Sequence, residues 1–180
     1  MFGLNYVLFY HAAFDIASGL LAVVFSMITG MNILNGAIFL NRPIRTKTAV
    51  GAAIGLCGMG LVFWPEITSS GKVAVGALIV SVAATYSASL GNILSARNQA
   101  SGISVTTGNA IGMTYGTIFL LVYCMYSGSP FVLEFSLKYL GSLMYLAFFA
   151  SVIAFGCYLT LIGRIGPGNA AYATVLAPII

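Results

Sequence analysis

Long apolar stretches separated by short polar connectors make up nearly the whole chain. Charges and turn residues divide it into seven apolar segments, at about 2–14, 18–40, 48–64, 73–95, 104–126, 139–163 and 168–180. A helix needs about 20 predominantly apolar residues to span a bilayer, and segments of this kind predict an all-α, polytopic transmembrane helix bundle. The first segment is short, and the last is still apolar at Ile180. Both ends are therefore expected to be cut inside or beside helices of a longer bundle. The alternative is that the two short segments are re-entrant or interfacial.

The connectors carry a strict pattern of charge. Asn41–Lys47 holds Arg42, Arg45 and Lys47, Arg97 follows the fourth segment, and Arg164 follows the sixth. These three connectors alternate with those holding Asp15, Glu66 with Lys72, and Glu134 with Lys138. Five cations thus fall on one side, against two cations and all three acids on the other. The positive-inside rule places the first set in the cytoplasm, with the chain multi-pass in the inner membrane. Trp64, Tyr126 and Tyr139 then fall at outer helix ends, where an aromatic belt belongs.

Composition supports this class. Hydrophobic residues are 60% of 180 and charged residues 6%, whereas a soluble domain carries about 25% charged residues. The seven Lys and Arg are scattered, so nothing favours nucleic-acid binding. Cys57, Cys124 and Cys157 lie in apolar runs without metal or CxxC spacing and are expected to be small buried hydrophobes, so no metal or cofactor is predicted.

One short pattern occurs twice. Ile16-Ala-Ser-Gly-Leu-Leu-Ala22 is answered by Ile165-Gly-Pro-Gly-Asn-Ala-Ala171, with Ile16, Gly19 and Ala22 matching Ile165, Gly168 and Ala171. Tyr10 and Tyr158 lie in the preceding segments. By the charge pattern the first copy is at the outer side and the second at the inner side, so the two are inverted. Inverted-topology repeats are a common architecture of secondary transporters. Residues 1–66 would then be the C-terminal part of one repeat and 73–180 the N-terminal part of the next. Both alanines are expected to face a central seam, with Gly19 and Gly168 at crowded turns.

Further stretches stand out in order along the chain: Phe2–Tyr10, Ser18–Ser26, Phe39-Leu-Asn-Arg-Pro43 with Gly51, Gly55 and Gly58, Gly166-Pro-Gly-Asn-Ala-Ala171, and Leu176-Ala-Pro178. In these stretches the chain resembles the EamA-type transporters of the drug/metabolite transporter superfamily. The resemblance implies inverted five-helix repeats, ten helices in all, of which this chain would hold the third to the start of the ninth. It also implies a carrier, exporting small organic solutes.

Candidate functional positions follow helical spacing. Ser81, Thr85, Ser89, Asn92 and Ser95 cover about one third of a helical wheel. They form either a cavity wall or interhelical packing glue, since polar groups in hydrocarbon face protein or water. Asn5, Tyr6, Phe9 and Tyr10 share a broad face suited to an organic solute, or to an ordinary helix seam. Thr29, Asn32 and Asn35 lie three apart, Gly30 adds a kink site, and Pro178 matches Thr29 in the repeat. Ser151 and Tyr158 share one face, and Asn109 stands beside Gly108, Gly112 and Gly116. These three glycines, like Gly51, Gly55 and Gly58, are expected to serve helix packing. The one histidine, His11, points away from the Asn5–Tyr10 face and is expected to bond a neighbour near the outer interface rather than relay protons.

The predicted function is alternating-access transport of a small organic solute by a chain whose partners are the lipid bilayer and that solute, with a homodimer left open. A non-transporting fragment or partner-dependent membrane subunit is the alternative. An intramembrane enzyme would need embedded acids, a Ser–His pair or a metal cluster, which three connector acids and one histidine do not provide. The topology is open to test by cysteine labelling in whole cells on a cysteine-free background. An impermeant maleimide should reach Ser70→Cys or Ser129→Cys but not Thr46→Cys or Ser101→Cys, and labelling of both sets refutes the orientation.

Overall fold

The computed structural model describes residues 1–44, 46–69, 71–128 and 134–175. Expectations resting on Arg45, Ser70, Ser129 and Leu176–Pro178 lie outside these residues. The described residues are helical throughout, without a strand: α1 Leu4–Ala13, α2 Ser18–Ser26, α3 Ile28–Leu40, α4 Thr46–Ser69, α5 Gly71–Ala100, α6 Val105–Ser127, α7 Leu137–Tyr145, a π-helical stretch Leu146–Ala154, α8 Phe155–Ile165, α9 Pro167–Ala170 and α10 Tyr172–Val175. Four helical stretches, Ser18–Leu40, Val75–Ala100, Val105–Ser127 and Leu137–Ile165, are long and apolar enough to cross a membrane. At 10 residues α1 rises only about 15 Å, half a hydrocarbon core.

The helix ends follow local chemistry. Ser104 caps α6 by accepting from the Thr107 N–H at 3.1 Å, and Ser136 caps α7 by accepting from the Tyr139 N–H at 3.2 Å. Asn41 closes α3 in the left-handed region at φ 50°, ahead of Pro43. Gly166 ends α8 at φ 88°, a conformation that L side chains rarely adopt, and Pro167 opens α9 at its first position.

Three stretches depart from the predicted segments. The segment predicted as one helix at 18–40 is a continuous span but tightens at Met27, one turn before the expected kink at Gly30. The Ser26 hydroxyl donates to the Val23 carbonyl at 2.6 Å and Met27 N–H to Val24 O at 3.0 Å, which tightens the turn to i−3 spacing. The connector predicted around Glu66 and Lys72 is instead helical: α4 runs through Pro65 to Ser69 and α5 starts at Gly71. Thr68 Oγ1 donates to the carbonyls of Trp64 and Pro65, at 2.9 and 3.0 Å, across that stretch. The predicted 139–163 helix changes to π geometry over Leu146–Ala154, where Ser151 Oγ donates five residues back to Leu146 O at 3.3 Å.

Helix α5 is the centre of the bundle, packed on α1, α2, α3, α4 and α8. Its contact face is built from small residues, with Ala77, Ala84, Ala88 and Ala96 all buried, which lets neighbouring backbones approach closely. Three apolar clusters lie along it. Ala77 meets Ala12 and Ile16; Ala88 meets Ile28 and Ala171; Ala96 meets Leu159, Ile162 and Ala170, with Leu40 against them. Met1 lies beside Gly91 and Ala12 beside Ala77, so α1 runs antiparallel to α5. These contacts put Arg42, Arg97 and Arg164 at one end of the bundle and Asp15 at the other, the separation that the charge pattern predicts. Cys57 and Cys157 are exposed and Cys124 is half-buried, rather than all three buried as expected; a thiol behaves as a small hydrophobe, as compatible with lipid as with a protein interior.

The two copies of the repeated pattern sit in different surroundings. Ala171 is fully buried, whereas Ala22 is only half-buried. A Cβ at Gly168 would meet Ile33 at 3.0 Å, whereas one at Gly19 would meet nothing within 4 Å. Ile16 is buried and Ile165 exposed.

The glycines divide in the same way. A Cβ at Gly112 would lie 3.0 Å from the Phe2 ring and one at Gly116 only 2.6 Å from the Phe2 carbonyl oxygen, so these two do receive a neighbour. Gly51, Gly55, Gly58 and Gly108 face open space, with nothing within 4 Å of an added Cβ. Gly116→Leu should therefore force α1 off α6 and lower stability by about 1–3 kcal/mol, whereas Gly55→Ala should be neutral or stabilising by up to about 1 kcal/mol. Thermal unfolding in detergent checks the pair, and equal effects of the two would refute the packing difference.

Candidate functional site: a polar seam with two flanking cavities

The polar stripe of α5 lies inside the bundle. Ser81, Thr85, Ser89 and Asn92 are at most 1% exposed, and Asn32 and Asn35 of α3 are equally enclosed. Spacing on α5 fixes which residues face α3 and α8, and each hydroxyl or amide then needs a partner within the protein. Ser81 and Thr85 use their own helix: Ser81 Oγ donates to Ala77 O at 2.8 Å and Thr85 Oγ1 to Ser81 O at 2.9 Å. The next two reach across. Asn35 Nδ2 donates to Ser89 Oγ at 2.9 Å, and Asn92 Nδ2 donates to the Tyr158 hydroxyl at 3.1 Å. The Asn92 contact to Asn32 Oδ1, at 3.5 Å, is at the outer limit of hydrogen bonding and is the weaker of its two.

From α3 the seam continues to the interrupted helices α8 to α10. Asn32 Nδ2 donates to Pro167 O at 3.1 Å, and Thr29 Oγ1 reaches Ala171 O at 3.4 Å. The first turns of α3 therefore sit opposite the short helices that follow Gly166. At the same end the Arg42 guanidinium lies directly over Gly166, in the space a Cβ would take.

Two cavities flank the seam. One, of about 340 Å³, is lined by Asn32, Ile33, Arg42 and the Gly166–Asn169 turn. The other, of about 350 Å³, lies between the second half of α5 and the start of α6, with Phe2, Ser95, Gln99, Gly108 and Asn109 in its wall.

The predicted positions thus separate. Asn32, Ser81, Thr85, Ser89, Asn92 and Tyr158 come together, with Thr29 at their edge. Ser81, Thr85, Ser89 and Asn92 form a closed interhelical seam and line neither cavity. Asn109 stands apart, in the wall of the larger cavity, and Asn32 also lines the smaller one. Of the α1 face only Asn5 is buried; Tyr10 is 71% exposed, and Phe9 packs edge-on against Phe25 at 5.6 Å. Ser151 is turned onto its own backbone. His11 Nε2 lies 2.6 Å from the Tyr123 hydroxyl at the exposed end of α1. One polar position escaped the pattern: Gln99 Nε2 donates to Leu159 O at 2.9 Å and Ser95 Oγ at 3.2 Å, tying α5 to α8. It continues the four-residue spacing from Ser95, beyond the predicted helix end.

Spans long enough for a bilayer, packed around an uncharged polar seam, define a polytopic helical membrane protein. The EamA-like transporter family model matches residues 74–180, more than half of the chain, and the chain belongs to that family. It is a membrane transporter in that general sense, in a family of transporters rather than enzymes, and its environment is the lipid bilayer. No curated protein and no solved structure matches it.

Removing Asn92 takes one hydrogen bond from the part-buried Tyr158 hydroxyl and the weaker contact from the buried Asn32 Oδ1, at about 1–3 kcal/mol. Ser81 loses only a bond to its own helix. Asn92→Leu should therefore lower the unfolding free energy by about 1–3 kcal/mol, and Ser81→Ala should change it by less than about 0.5 kcal/mol, as read by denaturant titration in micelles.

Proposed function

We propose that the protein carries small organic solutes across the inner membrane by alternating access, as an exporter, with 1–66 and 73–180 belonging to two inverted five-helix repeats. Arg42, Arg45, Lys47, Arg97 and Arg164 lie on the cytoplasmic side in this reading. The observation that carries it is the meeting of α3 with the broken helix at Gly166, joined by Asn32 and Thr29 donating to the Pro167 and Ala171 carbonyls. A broken helix near a polar centre is where transporters place solutes and moving joints. The side-chain-to-carbonyl bonds are few and individually worth about 0.6 kcal/mol in a membrane, weak enough to exchange as the break rocks. Asn5, Tyr6, Tyr10, Thr29, Asn32, Ser81, Thr85, Ser89, Asn92, Asn109, Ser151 and Tyr158 are the positions proposed to line the solute route in one state or another.

A second reading, a subunit that works against a partner helix or a second copy, is favoured by one observation. Gly51, Gly55 and Gly58 present an open face with nothing within 4 Å, the small-residue surface on which membrane helices pack.

Proteoliposomes decide between them. Protein reconstituted with the helices that complete both repeats, supplied with labelled amino acids, nucleosides and aromatic amines, should show saturable flux of at least one class, at least tenfold above empty vesicles. Asn32→Leu should reduce that flux at least tenfold while the protein still elutes as wild type. Flux no greater than that of empty vesicles overturns the carrier reading.

A further inference from the structure

Asn109 is only 9% exposed, and its side-chain oxygen accepts no hydrogen bond in the structure. An unpaired buried carbonyl is costly and normally has a partner. The same residue lines the cavity of about 350 Å³ between α5 and α6, which is in the size range of small-molecule sites. The rest of the wall narrows the chemistry of an occupant. Phe2, Leu90, Leu94, Ile103 and Leu159 supply apolar area, and no side chain lining the cavity carries a charge. Gln99 and Ser104 are already committed, to Leu159 O and to the α6 cap, Ser95 accepts from Gln99, and Ser87 and Asn98 are further polar groups in the wall. Gly108, one residue before Asn109, also lines the cavity, and an added Cβ there would meet nothing within 4 Å, so its missing side chain leaves room rather than packing a helix.

We infer that this cavity binds a small, neutral organic molecule with an apolar body and one N–H or O–H donor, and that the donor bonds Asn109 Oδ1. A cation is disfavoured because no acidic side chain lines the wall to repay its desolvation, and Met1, which carries the α-amino group, lines it too. A donor-free analogue leaves the Asn109 oxygen stranded, which makes the site selective for the donor rather than merely for apolar bulk. The inference assigns a solute class to the proposed carrier and rests on that reading only for flux; binding stands by itself.

The test uses the full chain in nanodiscs and three probes sharing one body: benzimidazole, 1-methylbenzimidazole and the permanently charged 1,3-dimethylbenzimidazolium. Titration calorimetry or saturation-transfer NMR reads the binding. Benzimidazole should bind about tenfold more tightly than its N-methyl analogue, and the cation should not bind. Asn109→Leu, close in shape, should abolish the difference between the first two. Gly108→Leu should fill the cavity and abolish binding of both; should it not fold, Asn109→Leu decides alone. Absence of benzimidazole binding, equal binding of the neutral pair, or discrimination that survives Asn109→Leu each overturns the inference. Binding with the expected discrimination but no benzimidazole flux in proteoliposomes would leave the site standing and count against the carrier; saturable flux indifferent to Asn109→Leu would do the reverse.

Discussion

A polar side chain inside a membrane protein must find its partner in the protein, and α5 is where this chain meets that constraint. Its inner face alternates alanines with Ser81, Thr85, Ser89 and Asn92. The alanines let α1, α3 and α8 come close; the polar residues then decide which neighbours those are. Ser89 and Asn92 hold α3 and α8 respectively, through Asn35 and Tyr158. The remaining helices take their places around this core. Helix α1 settles antiparallel against the alanines, and α6 receives Phe2 in the hollow of Gly112 and Gly116. Each of these bonds is modest, so the seam acts through specificity of register more than through total stabilisation.

Much of this was legible in the sequence because hydrophobicity and charge act over whole helices. The first six apolar segments correspond to helical stretches, the seventh is described only as two four-residue helices ending at Val175, and alternating connectors foretold that Arg42, Arg97 and Arg164 share one end. The α5 stripe was legible for the same reason, since period alone fixes a face. Whether that face was a cavity wall or a seam was not, because both readings need the same residues; the structure closes it against α3 and α8.

The misses arise where a helix stops being regular. Ser151 and Tyr158 share a face only on an uninterrupted α-helix, and the π-helical stretch between them adds residues per turn and rotates Ser151 away. The tightened turn at Met27 is accompanied by a Ser26 hydroxyl bond to Val23 O, which no periodicity reports. The glycines divide because small residues mark where a helix could approach, not whether one does. The α1 face failed to gather because ten residues against a crowded α5 bury only one narrow stripe, that of Asn5 and Ala12.

The composition of the seam has an electrical consequence. It is made of amides, hydroxyls and backbone carbonyls, and none of its described members bears a net charge. The transmembrane field does work of about 2.3 kcal/mol per elementary charge per 100 mV on whatever moves across it. The seam's own side chains therefore present no net charge for that field to act on.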